Sequence, residues 1–178
     1  LVGSEMCIRD RHQPTPMVLA GKALADITRF IKGDRYRSRL ISKIMFGAYN
    51  KRIKNVRTSN DWLTRDETVV DEYNAGKLTT FLFTVNGYRG LMNMILYVRK
   101  PRNIAKIPKN LPMLMVSGLD DPVGEYGKGV YRAYNTYHGH IDDIDLRLFE
   151  DCRHELCNEL NKEEIYEEIY GWIVDHMN

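Results

Sequence analysis

Leu111-Pro-Met-Leu-Met-Val-Ser-Gly118 runs on as Leu119-Asp-Asp-Pro-Val-Gly124 and is answered further along by Arg153-His-Glu-Leu-Cys-Asn-Glu159. The first segment is a short apolar run approached through Ile107-Pro108 and Leu111-Pro112. A continuous apolar run bounded in this way predicts a strand buried on both faces of a parallel sheet. One strand is expected over Met113 to Val116 and a second over Asp145 to Phe149. Between them, Gly124 to Tyr137 is expected to form a crossover helix with Tyr126, Val130, Tyr131 and Tyr134 inward. A last helix is expected to start at Asn161-x-x-Glu164 and to bury Ile165, Ile169, Trp172 and Ile173. Strand, helix, strand, histidine loop and helix, in that order, imply α/β architecture. Parallel strands joined by a crossover helix bring their carboxyl ends together. Asp121, after the first strand, is therefore expected to meet His154, after the second.

Upstream the pattern is helical. Met17, Leu19, Ala20, Ala23, Leu24, Ile27, Phe30 and Ile31 recur at helical spacing until Gly33. A second helix is expected over Tyr36 to Phe46, with Leu40, Ile41, Ile44 and Met45 on one face. Thr64-Arg-Asp-Glu67 has the form of a capping box opening a short helix to Tyr73, in which a Thr hydroxyl and a Glu carboxylate satisfy reciprocal backbone donors. Thr80 to Val98 is expected to be helical, although Gly87 and Gly90 each weaken a helix interior by ~1 kcal/mol relative to Ala. Residues 1–11 fit no helix or strand period and resemble translated sequencing-adapter read-through. The expected organisation is a non-native or disordered leader over 1–15, a helical region over 16–100, and a strand-bearing region over 101–178.

Composition narrows the classes. At 178 residues the chain is long enough for one domain with a core, burying roughly 70% of its extended surface. Hydrophobic and charged fractions of 43% and 28% exclude wholesale disorder. Three cysteines, Cys7, Cys152 and Cys157, do not make a disulfide framework and favour a reducing, cytoplasmic compartment. No apolar run approaches the ~20 residues of a spanning helix. Charge is segregated. Residues 29–57 carry ten Lys or Arg against the single acid Asp34, whereas Asp142 to Asp175 holds twelve acids against Arg147, Arg153 and Lys162. The basic segment reads as a solvated helix face or, alternatively, as a noncatalytic module docking on anionic lipid headgroups or nucleic acid.

Reactive groups in open α/β sheets gather at the carboxyl ends of strands, where Asp121 and His154 both fall. A triad acid fixes the histidine tautomer and stabilises the imidazolium, while the histidine shuttles the proton of a nucleophile. By residue type alone, Asp121 before Pro122 also reads as a turn former. Cys152, His154 and Cys157 form a competing constellation that could offer two thiolates and an imidazole to zinc. Neither a metal nor any other cofactor is expected.

Pro112 to Gly124, then Tyr126-Gly-Lys-Gly-Val130, then Arg153 to Asn161, together resemble the C-terminal half of bacterial α/β-hydrolases of the lysophospholipase and monoacylglycerol lipase type, grouped with serine aminopeptidase-like hydrolases. Gly33-Asp-Arg-Tyr-Arg37, Asp61 to Glu67 and Phe83-Thr-Val-Asn-Gly87 resemble the cap region of the same group. The resemblance runs from about residue 16 to the end. It implies that Asp121 is the triad acid, in preference to Asp120, and that His154 is the general base. Glu155, Asn158 and Glu159 are expected around the histidine in structural roles. A lipid-like ester substrate is implied, with the apolar cap faces from Leu24 to Phe30 and Phe81 to Leu96 sheltering an acyl chain. Peptidase chemistry is the alternative.

The family's nucleophile sits in a Gly-x-Ser-x-Gly elbow, and none of Ser4, Ser38, Ser42, Ser59 and Ser117 has glycine two positions before and after. The nucleophile, the oxyanion donors and the first strands are therefore expected upstream of this chain, which alone should not hydrolyse esters. Further expectations are peripheral contact with an anionic membrane, no nucleic-acid partner, and self-association through a sheet edge left open.

Overall fold

A computed structural model describes residues 15–177. The expectation of a foreign leader falls on residues outside this range, apart from Thr15, the first residue of the first helix. The described chain divides into two compact units, one of residues 15–61 and 70–106, the other of residues 62–69 and 107–177.

The first unit is helical. Helix α1 (Thr15–Lys32) ends at Gly33, whose φ of +86° is left-handed and costs a glycine little. Helix α2 (Arg39–Phe46) begins later than the expected Tyr36, because the Ser38 side chain accepts from the Ile41 amide at 3.2 Å and caps it. A 3-10 turn follows at Tyr49–Arg52. Helix α3 (Glu67–Ala75) also departs from expectation. Its first turn is capped by Asp66, whose Oδ1 accepts from Thr68 N and Val69 N, while the Thr64 hydroxyl accepts from Asp66 N and donates to Asn158 O. Helix α4 (Val85–Val98) starts five residues later than expected, since Thr84 accepts from Gly87 N at 3.1 Å and holds an extended backbone. A single turn, α5 (Pro101–Ile104), follows with proline in the first turn.

One core cluster of this unit is Ala25, Ile41, Val85 and Tyr88, with Leu24, Met45 and Phe46 packed against them, and Val18, Tyr49, Val70, Met92 and Ile104 are buried as well. Each fully buried side chain of Val or Leu size contributes about 1.5–3 kcal/mol. Much of the expected apolar face lies outside this cluster. Met17, Leu19, Ile27, Phe30, Ile31, Leu40 and Ile44 are exposed, Phe30 at 93%. No described helix is long and apolar enough to cross a membrane.

The second unit carries the sheet. Strands β1 (Met113–Gly118) and β2 (Ile144–Phe149) pair in parallel, with Met113 opposite Ile144 and Gly118 opposite Phe149. Helix α6 (Lys128–His138) is the crossover and packs on both strands. It starts later than Gly124, because Glu125, Tyr126 and Gly127 all have positive φ and form a left-handed turn. Val130, Ala133 and Tyr137 face the core, whereas Tyr131, expected inward, is exposed. The 3-10 turn Leu156–Asn158 leads to α7 (Lys162–Asp175). Ile165 of α7 packs with Phe149, Cys152 and Leu156, and the Trp172 indole donates to Asp145 Oδ2 at 2.8 Å.

Candidate active site

The site is built where β1 and β2 end. Leu119 N donates to Phe149 O and Asp120 N to Cys152 O, both at 2.8 Å, so the two chains run on side by side beyond the sheet. Gly118 permits this approach, because a Cβ there would overlap the carbonyl oxygens of Cys152 and Arg153. Past Gly118 the chain turns. Asp120 is exposed, and Asp121 is buried. The two adjacent acids are thus separated by environment, and only Asp121 faces inward.

Asp121 is held from both ends. Its Oδ1 accepts from Val123 N at 2.7 Å, an Asx turn that fixes the carboxylate, and its carbonyl accepts from Tyr126 N at 2.8 Å. The free oxygen, Oδ2, lies 3.0 Å from His154 Nδ1. Both side chains are 8% exposed. An ionised carboxylate can only accept, so Nδ1 is the nitrogen that carries hydrogen toward it. In the neutral imidazole Nε2 is then left as an acceptor, and no described side chain or backbone group bonds it.

The histidine loop is fixed by residues far away in sequence. Glu155 N donates to Leu63 O at 2.7 Å and His154 N to Trp62 O at 3.4 Å. The Trp62 ring lies beside the imidazole, with centroids 5.1 Å apart and planes tilted by 47°. Behind the loop, Glu159 has no exposed surface. Its Oε1 accepts from Arg153 N at 2.7 Å, its Oε2 from Arg65 Nε at 2.9 Å, and both oxygens from Arg65 N at 3.3 Å. Arg65 also donates to Asn161 Oδ1, and Arg153 Nη1 donates to Thr64 O.

Burial opposes the charge on Arg65, but the hydrogen bond and charge of Glu159 outweigh it and push the guanidinium up. Burial likewise raises the Cys152 thiol, and the negative charge of Glu159 adds to that effect.

Among the described residues the zinc alternative is not assembled. Cys152 is buried with its Sγ toward Asn161 Oδ1, and Cys157 is exposed. No described group of three His, Cys, Asp or Glu is placed to hold a metal. His138 is exposed on α6, and His140 Nε2 is 2.8 Å from Ile107 O. Ser117 is buried in β1, its hydroxyl donating to Gly118 O rather than to His154. The part of the site that residue patterns missed is Trp62 to Arg65. The signals there, the capping-box spacing and the resemblance of Asp61 to Glu67 to a cap region, pointed to a helix start and to the helical region instead of to the histidine loop.

A family model described as serine aminopeptidase, S33, matches residues 1–161. No curated protein sequence matches the chain. Among solved structures, a thermostable carboxyl esterase from Bacillus coagulans, in complex with glycerol, superposes with a TM-score of 0.77 at 20% identity, covering 92% of this chain and 53% of that one. A lipase in its open form gives 0.78 at 22% identity, with coverages of 94% and 55%. A soluble variant of monoglyceride lipase from Saccharomyces cerevisiae, in complex with a substrate analogue, gives 0.61 at 17% identity, with coverages of 92% and 48%. At these identities the likeness establishes the fold, and the chain spans about half the length of these three structures. The parallel strand pair with its crossover helix is accordingly part of an α/β-hydrolase fold, and the chain belongs to the serine aminopeptidase family of hydrolases.

Proposed function

We propose that this chain supplies the acid and the base of a serine hydrolase acting on a carboxylic ester of a monoacylglycerol or lysophospholipid, with the nucleophile provided by sequence upstream. The carrying observation is the buried Asp121 Oδ2 to His154 Nδ1 pair at 3.0 Å, with Nε2 left unbonded by described residues. In this reaction Nε2 takes the proton of the serine hydroxyl as its oxygen attacks the ester carbonyl. Asp121 stabilises the imidazolium. The same proton then passes from Nε2 to the departing alcohol as the acyl-enzyme forms. Water repeats the cycle, giving up a proton to His154 and releasing the acid and the free serine. Exposed Ile27, Phe30 and Phe81 of the helical unit are of the right chemistry to meet an acyl chain.

The test is to express the chain with its in-frame upstream sequence and measure p-nitrophenyl ester cleavage. The expected result is turnover that His154→Ala lowers by at least about 10³-fold. An upstream sequence without Gly-x-Ser-x-Gly, or turnover indifferent to His154→Ala, would overturn the proposal. The chain without that sequence should show no turnover.

A second reading concerns where such an enzyme works. Arg35, Arg37, Arg39 and Lys43 are exposed together with Phe30, Leu40 and Ile44. Cations interleaved with apolar side chains suit an anionic membrane surface. Binding to vesicles containing phosphatidylserine at low ionic strength, weakening as salt rises, is expected. No binding at low salt would remove this reading.

Among the described residues, β1 and β2 each keep one unpaired edge. The chain by itself should therefore self-associate. Light scattering that finds a monomer at all concentrations would contradict this.

A further inference from the structure

Four consecutive residues, Trp62 to Arg65, each bond or stack against the loop that carries His154. Trp62 O and Leu63 O accept the amide hydrogens of His154 and Glu155. Thr64 donates its hydroxyl to Asn158 O at 2.7 Å and accepts at its carbonyl from Arg153 Nη1 at 3.0 Å. Arg65 reaches the buried Glu159 and Asn161. Leu63 and Thr64 are themselves buried. This segment lies in the stretch 62–69 that joins the strand-bearing unit, although residues 15–61 before it and 70–106 after it belong to the helical one.

A catalytic imidazole must be fixed in position and in plane. The bond from Nδ1 to Asp121 Oδ2 fixes one atom of the ring, and the ring can still swing about that bond. The Trp62 ring at 5.1 Å supplies a second surface that limits the swing. The backbone bonds to Trp62 O and Leu63 O, with the Arg65–Glu159 pair behind them, hold the Cα from which the imidazole hangs. We propose that Trp62 to Arg65 form a positioning strap for His154, in which Trp62 sets the imidazole plane and Arg65 anchors the loop through Glu159. The strap rests on the assignment of Asp121 and His154 as acid and base, and it adds positioning residues that touch no substrate.

The test uses this chain extended by its in-frame upstream sequence, since the chain alone is expected to self-associate through its open strand edges. A proton held between Nδ1 and a carboxylate gives a strongly downfield NMR resonance, which Asp121→Asn identifies by abolishing it. The strap predicts that Trp62→Phe keeps the resonance, while Trp62→Leu, which retains apolar volume without a flat ring, loses it to exchange. Arg65→Met, at the far end of the strap, should also lose it while the amide spectrum stays dispersed. If Trp62→Leu and Arg65→Met both keep the resonance of the unsubstituted chain, Trp62 to Arg65 are merely structural and the inference is overturned. If the unsubstituted chain lacks the resonance, the failure lies earlier, in the pairing of Asp121 with His154, and the strap falls with it.

Discussion

The two loops that meet at the candidate site are held by opposite means. The acid loop, beyond the bonds of Leu119 N and Asp120 N to Phe149 O and Cys152 O at its entry, makes its own shape. Asp121 bonds Val123 N and Tyr126 N, and three successive positive-φ residues, Glu125 to Gly127, finish the turn within a few positions of the carboxylate. The histidine loop is shaped from outside, by Trp62 to Arg65 in front and by Glu159, several residues downstream, behind. A locally determined loop can be read from a motif. A loop held by distant partners is fixed only once those partners fold against it.

That contrast can be broken by substitution. Removing Glu159 should have the largest effect. Glu159→Ala leaves Arg65 and the Arg153 amide without their acceptor, at a cost of about 3 kcal/mol. Urea unfolding should show the loss, and a change under about 1 kcal/mol would mean that the histidine loop does not depend on its buried carboxylate. Next comes Gly118→Ala, which forces a methyl into backbone oxygens where the loops run together, for about 2 kcal/mol. It should disturb the Asp121 to His154 pairing as well as stability. An unchanged melt would show that the loops separate without cost.

Asp66→Ala sharpens the comparison as a control. Asp66 lies just past the strap and its amide donates to Thr64 Oγ1, yet its side chain bonds only the first turn of α3, so Asp66→Ala should cost about 1 kcal/mol of stability while the His154 environment stays intact. A shifted His154 spectrum in this variant would mean the strap extends further than Arg65. The smallest effect concerns Cys152. Its thiol is raised by burial first and by Glu159 second, so removing the negative charge favours the thiolate. Glu159→Gln should therefore move the onset of Cys152 alkylation to lower pH, while the exposed Cys157 reacts as before. Mass spectrometry of the labelled chain separates the two, and an onset moving to higher pH would contradict the assigned cause.

Legibility from sequence followed the same division. The first strand was readable because a short apolar run approached through prolines suits a buried strand, and the parallel register with Ile144–Phe149 then places Asp121 against His154. The preference for Asp121 over Asp120 came from the family resemblance, whose motif has its acid next to Pro122, since by residue type alone Asp121 also reads as a turn former. Helix starts were less readable. Ser38 and Thr84 each cap a helix that apolar spacing alone begins elsewhere, and Asp66 caps one that the capping-box spacing begins at Thr64, since spacing says little about where the first amide finds an acceptor. Thr64 shows why. Its hydroxyl accepts locally from Asp66 N at 3.1 Å and donates to the distant Asn158 O at 2.7 Å, and neither bond caps the first turn of α3. The strap was not visible for the same reason, because its partners are some ninety residues away.

The exposed apolar side chains of α1 and α2 mark a further limit. Periodicity identified a face, and the structure leaves Phe30 and Leu40 of that stretch open. A helical pattern states which residues share a side, while what covers that side depends on the rest of the molecule.

The most direct measurement of the central claim is covalent labelling of the upstream-extended protein by a fluorophosphonate, read by peptide mass spectrometry. One labelled serine N-terminal to Gln13 is expected, with labelling strongly slowed by His154→Ala and by Asp121→Asn. Labelling at the same rate in both variants, or a label confined to residues of the present chain, would contradict it.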